Sequence, residues 1–141
     1  MTILERVRQW LQTYPQWEDT LTVDMIPAGT DAAGLFPGGV EERSRKEDIL
    51  GNRQVQCRMR FILRRQVSAE EDNESHAAWL LDFQQWVSLQ SLAGLTPQLG
   101  DVPAWEQMRA EKGSLQKISP TGIGTYTVTL TANFIKLYEV N

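Results

Sequence analysis

Cysteine and histidine each occur once, as Cys57 and His76, and that scarcity removes whole classes of chemistry before any element is placed. One thiol cannot build an internal disulfide framework. One histidine with one cysteine falls short of the ligand set that a zinc site needs, and no HExxH pattern is present. A nucleophilic pair would require Cys57 opposite His76, but Cys57 falls on the inward row of a strand, where packing is the expectation. His76, early in a helix, reads as a surface or capping residue. The glycine segments Phe36-Pro37-Gly38-Gly39 and Thr121-Gly122-Ile123-Gly124 lack the lysine and the strand-to-helix context of a phosphate loop, so they read as turns. Adjacent acids such as Glu41 with Glu42 point to opposite faces of a strand, and Glu70 with Glu71 sit at a helix start, where acids suit the dipole. The expectation is a non-enzymatic chain with no metal and no cofactor.

Long apolar runs are also missing. Nothing approaches the roughly 20 residues of a membrane span, and the first residues lack the basic start and apolar run of a signal peptide. A protein made and kept in the cytoplasm is expected. The 14 Lys and Arg stand against 18 Asp and Glu, a net charge of -4, which gives the whole chain no attraction for nucleic acid.

What is present is a globular composition. Of the 141 residues 41% are hydrophobic, with five Trp, four Phe and three Tyr, enough for one core and short for two. A single domain over 1–141 is therefore expected. Thr2 followed by Glu5 has capping-box spacing, and Ile3, Leu4, Val7, Trp10 and Leu11 recur at helical intervals, so a helix is predicted over 2–14, closed by Pro15. A short strand is predicted over 20–26. The following 27–39 reads as a long Gly- and Pro-rich loop with Leu35 and Phe36 as its apolar plug.

The clearest local signal runs over 53–67. Val55, Cys57, Met59, Phe61 and Leu63 alternate with Gln54, Gln56, Arg58, Arg60, Ile62 and Arg64, the period of a half-buried strand. Residues 40–46 are its expected antiparallel partner, placing Glu41 and Glu42 across from the arginines. A second helix is predicted from Ser68, with Glu71 three residues on, to about 89 or 91, presenting Ala77, Leu80, Phe83 and Val87 as a stripe. A connector over 94–103, an irregular helical turn over 104–110, and a hairpin of 113–119 with 124–140 complete the chain. The predicted fold class is α+β: a mostly antiparallel sheet of about four or five strands with two main helices packed on one face.

The row Arg58, Arg60, Arg64 leaves three readings open: a solvated face neutralised by Glu41 and Glu42, a subunit interface, or a nucleic-acid contact. The last is disfavoured because this strand's aromatic residue lies on the other face. Trp17 and Trp105, in irregular segments, are candidate interface residues.

The run Gly34-Leu35-Phe36-Pro37-Gly38-Gly39, then Ser44-Arg45-Lys46-Glu47-Asp48-Ile49-Leu50-Gly51-Asn52, leading into Phe61-Ile62-Leu63-Arg64-Arg65, resembles the small virion proteins of tailed bacteriophages and prophages, the minor capsid or tail-terminator (head-tail joining) family. The Trp-rich helix, Gly94-Leu95-Thr96-Pro97 and Tyr126-Thr127-Val128-Thr129-Leu130 extend the similarity over most of the chain. The resemblance implies a structural morphogenesis protein that caps or joins the tail tube at its head-proximal end. Its partners would be further copies in a ring, a hexamer being one option, and tail-tube or neck proteins, with no membrane and no specific nucleic acid. Its locations would be the host cytoplasm during assembly and the virion tail or neck. A ring needs two different contact surfaces on each copy. Leu35, Phe36, Arg43, Arg45, Arg58, Arg60 and Arg64 are the candidates, with the acidic start of the second helix as the opposite charge. A non-enzymatic protein-binding adaptor of cellular origin is the alternative.

Overall fold

Thr2 opens the first helix, α1 (Ile3–Leu11), by the predicted reciprocal cap: its Oγ1 accepts from Glu5 N at 3.1 Å, and Glu5 Oε2 accepts from Thr2 N at 3.2 Å. The structure, a computed structural model, describes residues 2–15, 21–23, 32–44, 53–67, 70–120 and 122–137. The helix stops at Leu11 rather than near Tyr14. Thr13 Oγ1 donates to Trp10 O at 2.6 Å, a local side-chain bond that competes with continuation of the helix.

The sheet has five strands: β1 (Leu21–Val23), β2 (Ala32–Ser44), β3 (Arg53–Gln66), β4 (Gln107–Ile118) and β5 (Ile123–Lys136), in the order β1-β2-β3-β5-β4. Among the described residues only β1 and β2 run parallel. The long helix α2 (Glu70–Leu92) follows β3, and a 3-10 turn (Pro103–Trp105) precedes β4. The fold is thus α+β, with a mostly antiparallel five-stranded sheet and two main helices, as the patterning predicts.

Alternation decides which face is covered. Val55, Cys57, Met59, Phe61 and Leu63 of β3 are buried, together with Tyr126, Val128, Leu130, Ala132 and Phe134 of β5. Against them lie Val7, Trp10 and Leu11 of α1 and Leu80, Phe83 and Val87 of α2, in one core cluster. Phe83 stacks on Phe61 with centroids 5.0 Å apart and on Trp79 at 5.5 Å, while Tyr14 meets Phe83 edge-on at 5.6 Å and Trp10 meets Trp86 at 5.0 Å. Fully burying each of these large side chains contributes about 1.5–3 kcal/mol. Both helices therefore sit on the same side, and the core lies between them and the sheet.

Two expectations are corrected. Of the predicted loop over 27–39, residues 27–31 lie outside the described residues, and the rest belongs to strand β2, which pairs with β3 from Ala32↔Arg64 onward. Its Pro and Gly fit because, among the described residues, β1 pairs with Ala33, Gly34 and Leu35 alone, so Pro37 falls where β2 has no other described strand than β3 beside it. A register shift lies between Pro37 and Gly39, and a Cβ on Gly38 would come 2.9 Å from Arg58 O, closer than a side chain tolerates. The predicted helical turn over 104–110 is only the 3-10 turn, and β4 begins at Gln107, earlier than the predicted start at 113.

The connector between α2 and β4 is fastened by carboxylates. Buried Glu106 accepts from Gln98 N at 2.7 Å and from Gly100 N at 2.8 Å. Asp101 N donates to Ile135 O at 2.8 Å, and Asp101 Oδ2 accepts from Leu137 N at 2.9 Å. These bonds secure the end of β5.

Candidate functional site

The face of the sheet away from the helices has no covering element among the described residues. Register places its side chains in rows across the strands. Gln56, Asn133 and Gln107 form one row; Arg58, Thr131 and Arg109 the next; Arg60, Thr129 and Glu111 the next, with Phe36 beside Arg60 on β2; and Ile62, Thr127 and Ser114 another. Arg58, Arg60 and Arg109 are exposed, whereas Phe36, Ile62, Arg64, Thr127 and Thr129 are half-buried. The β-branched threonines favour the strand and present methyls and hydroxyls together to this surface.

The expectation that Glu41 and Glu42 stand across from the arginines is corrected by the register. Because β2 begins at Ala32, the arginines fall opposite its uncharged half: Arg64 faces Ala32, Arg60 faces Phe36 and Arg58 faces Gly39. Glu41 pairs instead with Gln56, and Glu42 with Val55. On the other side β5 offers Thr125, Thr129 and Thr131. The exposed pair Arg109–Glu111, 3.6 Å apart, is solvated and contributes little. Gln56 is buried despite its outward row, and its Oε1 has no partner among the described residues.

At the Arg53 end of this face the surface dips into a cleft of about 290 Å³ lined by Gln54, Val55, Trp105, Gln107, Arg109, Asn133, Phe134 and Ile135. Trp105, 65% exposed, stands at its edge. On the opposite side of the molecule a shallower hollow of about 340 Å³ lies between α2 and β4, lined by Gln84, Gln85, Ser88, Leu89 and Ala110.

The predicted interface residues do not form one patch. Arg58, Arg60 and Arg64 share the bare face, with Phe36 beside them. Leu35 turns the other way and is fully buried, so it contributes to the core and offers no surface. Arg43 lies in the last residues of β2. Arg45 and Trp17 are outside the described residues. Trp105 is exposed at the cleft, while Trp10, Trp79 and Trp86 join the interior aromatic cluster; Trp10 Nε1 donates to Leu95 O at 2.8 Å.

The two chemically versatile side chains have structural surroundings. His76 is half-buried rather than on the helix surface: its Nδ1 lies 3.2 Å from the hydroxyl of buried Tyr126, with the rings edge-on at 5.5 Å. Cys57 is buried, and burial pushes its thiol above the ordinary 9.0. Burial, followed by the charge of Asp82, likewise raises the Tyr14 hydroxyl. No group of three or more metal-ligating side chains occurs among the described residues. No helix among them is long and apolar enough to cross a membrane.

Sequence reasoning missed Glu106, whose buried carboxylate organises the connector. Its only sequence signal is position, one residue past the Pro103–Trp105 turn. Compared with known proteins, the chain matches no family model and no curated sequence.

Proposed function

We propose that this chain is a structural assembly protein that closes into a ring of identical copies and caps or joins the head-proximal end of a phage tail tube. The observation that carries the reading is the bare face of the sheet, where Arg58 and Arg60 lie opposite Gly39 and Phe36 with no acid across from them in register. Arginine's planar fork suits a contact between protein surfaces. Half-buried Phe36, Ile62 and threonine methyls add apolar area to the same patch. The side chains best suited to catalysis are occupied in packing: His76 against Tyr126 and Cys57 in the core. The similarity of the Gly34–Gly39 and Ser44–Asn52 motifs to phage virion proteins supplies the biological setting.

The exposed Trp105 beside the cleft favours a second reading, a protein-binding adaptor of cellular origin that uses the same face for a foreign segment. Negative-stain microscopy of the purified protein, with and without tail tubes, separates them. The ring reading expects closed annular particles and added density at one tube end. Monodisperse small particles that leave the tubes bare would overturn it.

A further inference from the structure

Helix α2 has two apolar sides, and the core uses one of them. On the other, Leu81 is 58%, Leu89 65% and Leu92 85% exposed. With Glu74, Ala78 and Gln85, which are also exposed, they recur at three- and four-residue intervals along one stripe. Residues so apolar are costly to leave wet over the length of a 23-residue helix. The helix contains Glu70, Glu71, Asp72, Glu74 and Asp82 but no lysine or arginine. The bare sheet face has the opposite bias, with Arg58, Arg60 and Arg109 exposed against the acid Glu111.

Resting on the ring reading above, we infer that the outer stripe of α2 on one copy docks on the bare sheet face of the next copy. The two surfaces lie on opposite sides of the molecule, so the contact is head-to-tail and can repeat around a ring. Pairing α2 with α2 would instead bring acid to acid, and pairing sheet with sheet would bring arginine to arginine.

The dimensions agree. At about 1.5 Å per helical residue, Asp82 lies about 15 Å along the axis from Leu92, and Glu74 about 27 Å. At about 3.3 Å per strand residue, Arg58 and Arg60 lie about 12 and 18 Å from the cleft rim at Gln54 and Val55. With Leu92 seated in the cleft beside Trp105, Asp82 falls between the two arginines, and Glu74 reaches the far end of their stripe.

The test is complementation, read by size-exclusion chromatography with light scattering. One variant, Arg58→Glu with Arg60→Glu, spoils the sheet face; the other, Leu81→Arg with Leu92→Arg, spoils the helix stripe. All four side chains are exposed, and melting temperatures that match wild type at a dilution where nothing assembles establish that both variants are folded. Wild type is expected to assemble and each variant alone to be monomeric, whereas their mixture gives one-to-one dimers, since each retains the surface the other lacks. If the sheet variant assembles like wild type while the helix variant does not, α2 pairs with itself and the inference fails. If both variants assemble like wild type, the contact lies elsewhere and the ring reading alone survives. Wild type that remains monomeric at high concentration overturns both.

Discussion

The two faces of the sheet are built from the same strands, in alternate positions, yet they answer to different demands. On one, Phe61, Met59, Val128 and Leu130 are sealed under two helices and interlock with Phe83. On the other, Arg58 and Arg60 are exposed and Thr125, Thr127 and Thr129 of β5 are half-buried. A one-residue slip of β3 would exchange the two sets. The inner face therefore fixes the register, and the register in turn determines which side chains the outer face can offer a neighbour.

The largest expected contrast comes from truncating one residue on each face. Phe83→Ala removes a ring that stacks on both Phe61 and Trp79 and is expected to cost about 3–5 kcal/mol. Thr129→Ala on the outer face is expected to stay within about 0.5 kcal/mol. Urea denaturation at a dilute concentration, where assembly does not add to stability, reads both. Comparable losses would erase the distinction between a structural and a presented face.

Next in size is Glu106→Ala, which leaves the amides of Gln98 and Gly100 without their carboxylate acceptor. A loss of roughly 2–3 kcal/mol is expected from two charge-assisted bonds, again measured by urea denaturation. Faster amide exchange confined to the 95–106 connector would accompany it. Thr2→Ala removes the capping-box hydroxyl of α1 and is expected to cost about 1 kcal/mol, seen as a lower thermal midpoint.

The smallest effect is on pH dependence. The folded-state value of the Cys57 thiol is raised by burial, so its contribution to stability is complete below 9.0 and is lost as pH rises through the folded value. Stability should fall on the alkaline side of 9.0, and Cys57→Ser should flatten that limb. Alkylation of Cys57 in the native protein should be slow and should follow global unfolding, because only the exposed thiolate reacts.

Much of this contrast is legible in the residues. The alternation from Val55 to Leu63, the Thr2–Glu5 cap and the stripe of the second helix each reflect one dominant local force, and the structure follows all three except at Ala77, which is exposed while Leu80, Phe83 and Val87 are buried. The beginning of β2 is not legible in that way. Gly34, Pro37, Gly38 and Gly39 have the composition of a loop, and they become strand because β3 supplies a ladder on either side of the register shift between Pro37 and Gly39. β4 is similar: Met108 and Ala110 form a weak inward row, and the shift between Glu111 and Ser114 interrupts the period. For the candidate site, sequence identified the arginines and Trp105. It could not place Glu41 opposite Gln56 rather than opposite an arginine, because that register depends on where β2 begins. It could not show Leu81, Leu89 and Leu92 to be uncovered, because a helix with apolar residues on both sides does not announce which side the core takes.

Sedimentation velocity of the Arg58→Glu, Arg60→Glu variant beside wild type, with the thermal midpoint of each recorded at the same dilute concentration, tests the division of labour between the faces most directly. The account predicts that wild type sediments as a concentration-dependent oligomer and the variant as a monomer, with matching midpoints. An oligomer indistinguishable from wild type, or a variant that loses its fold along with its assembly, would contradict it.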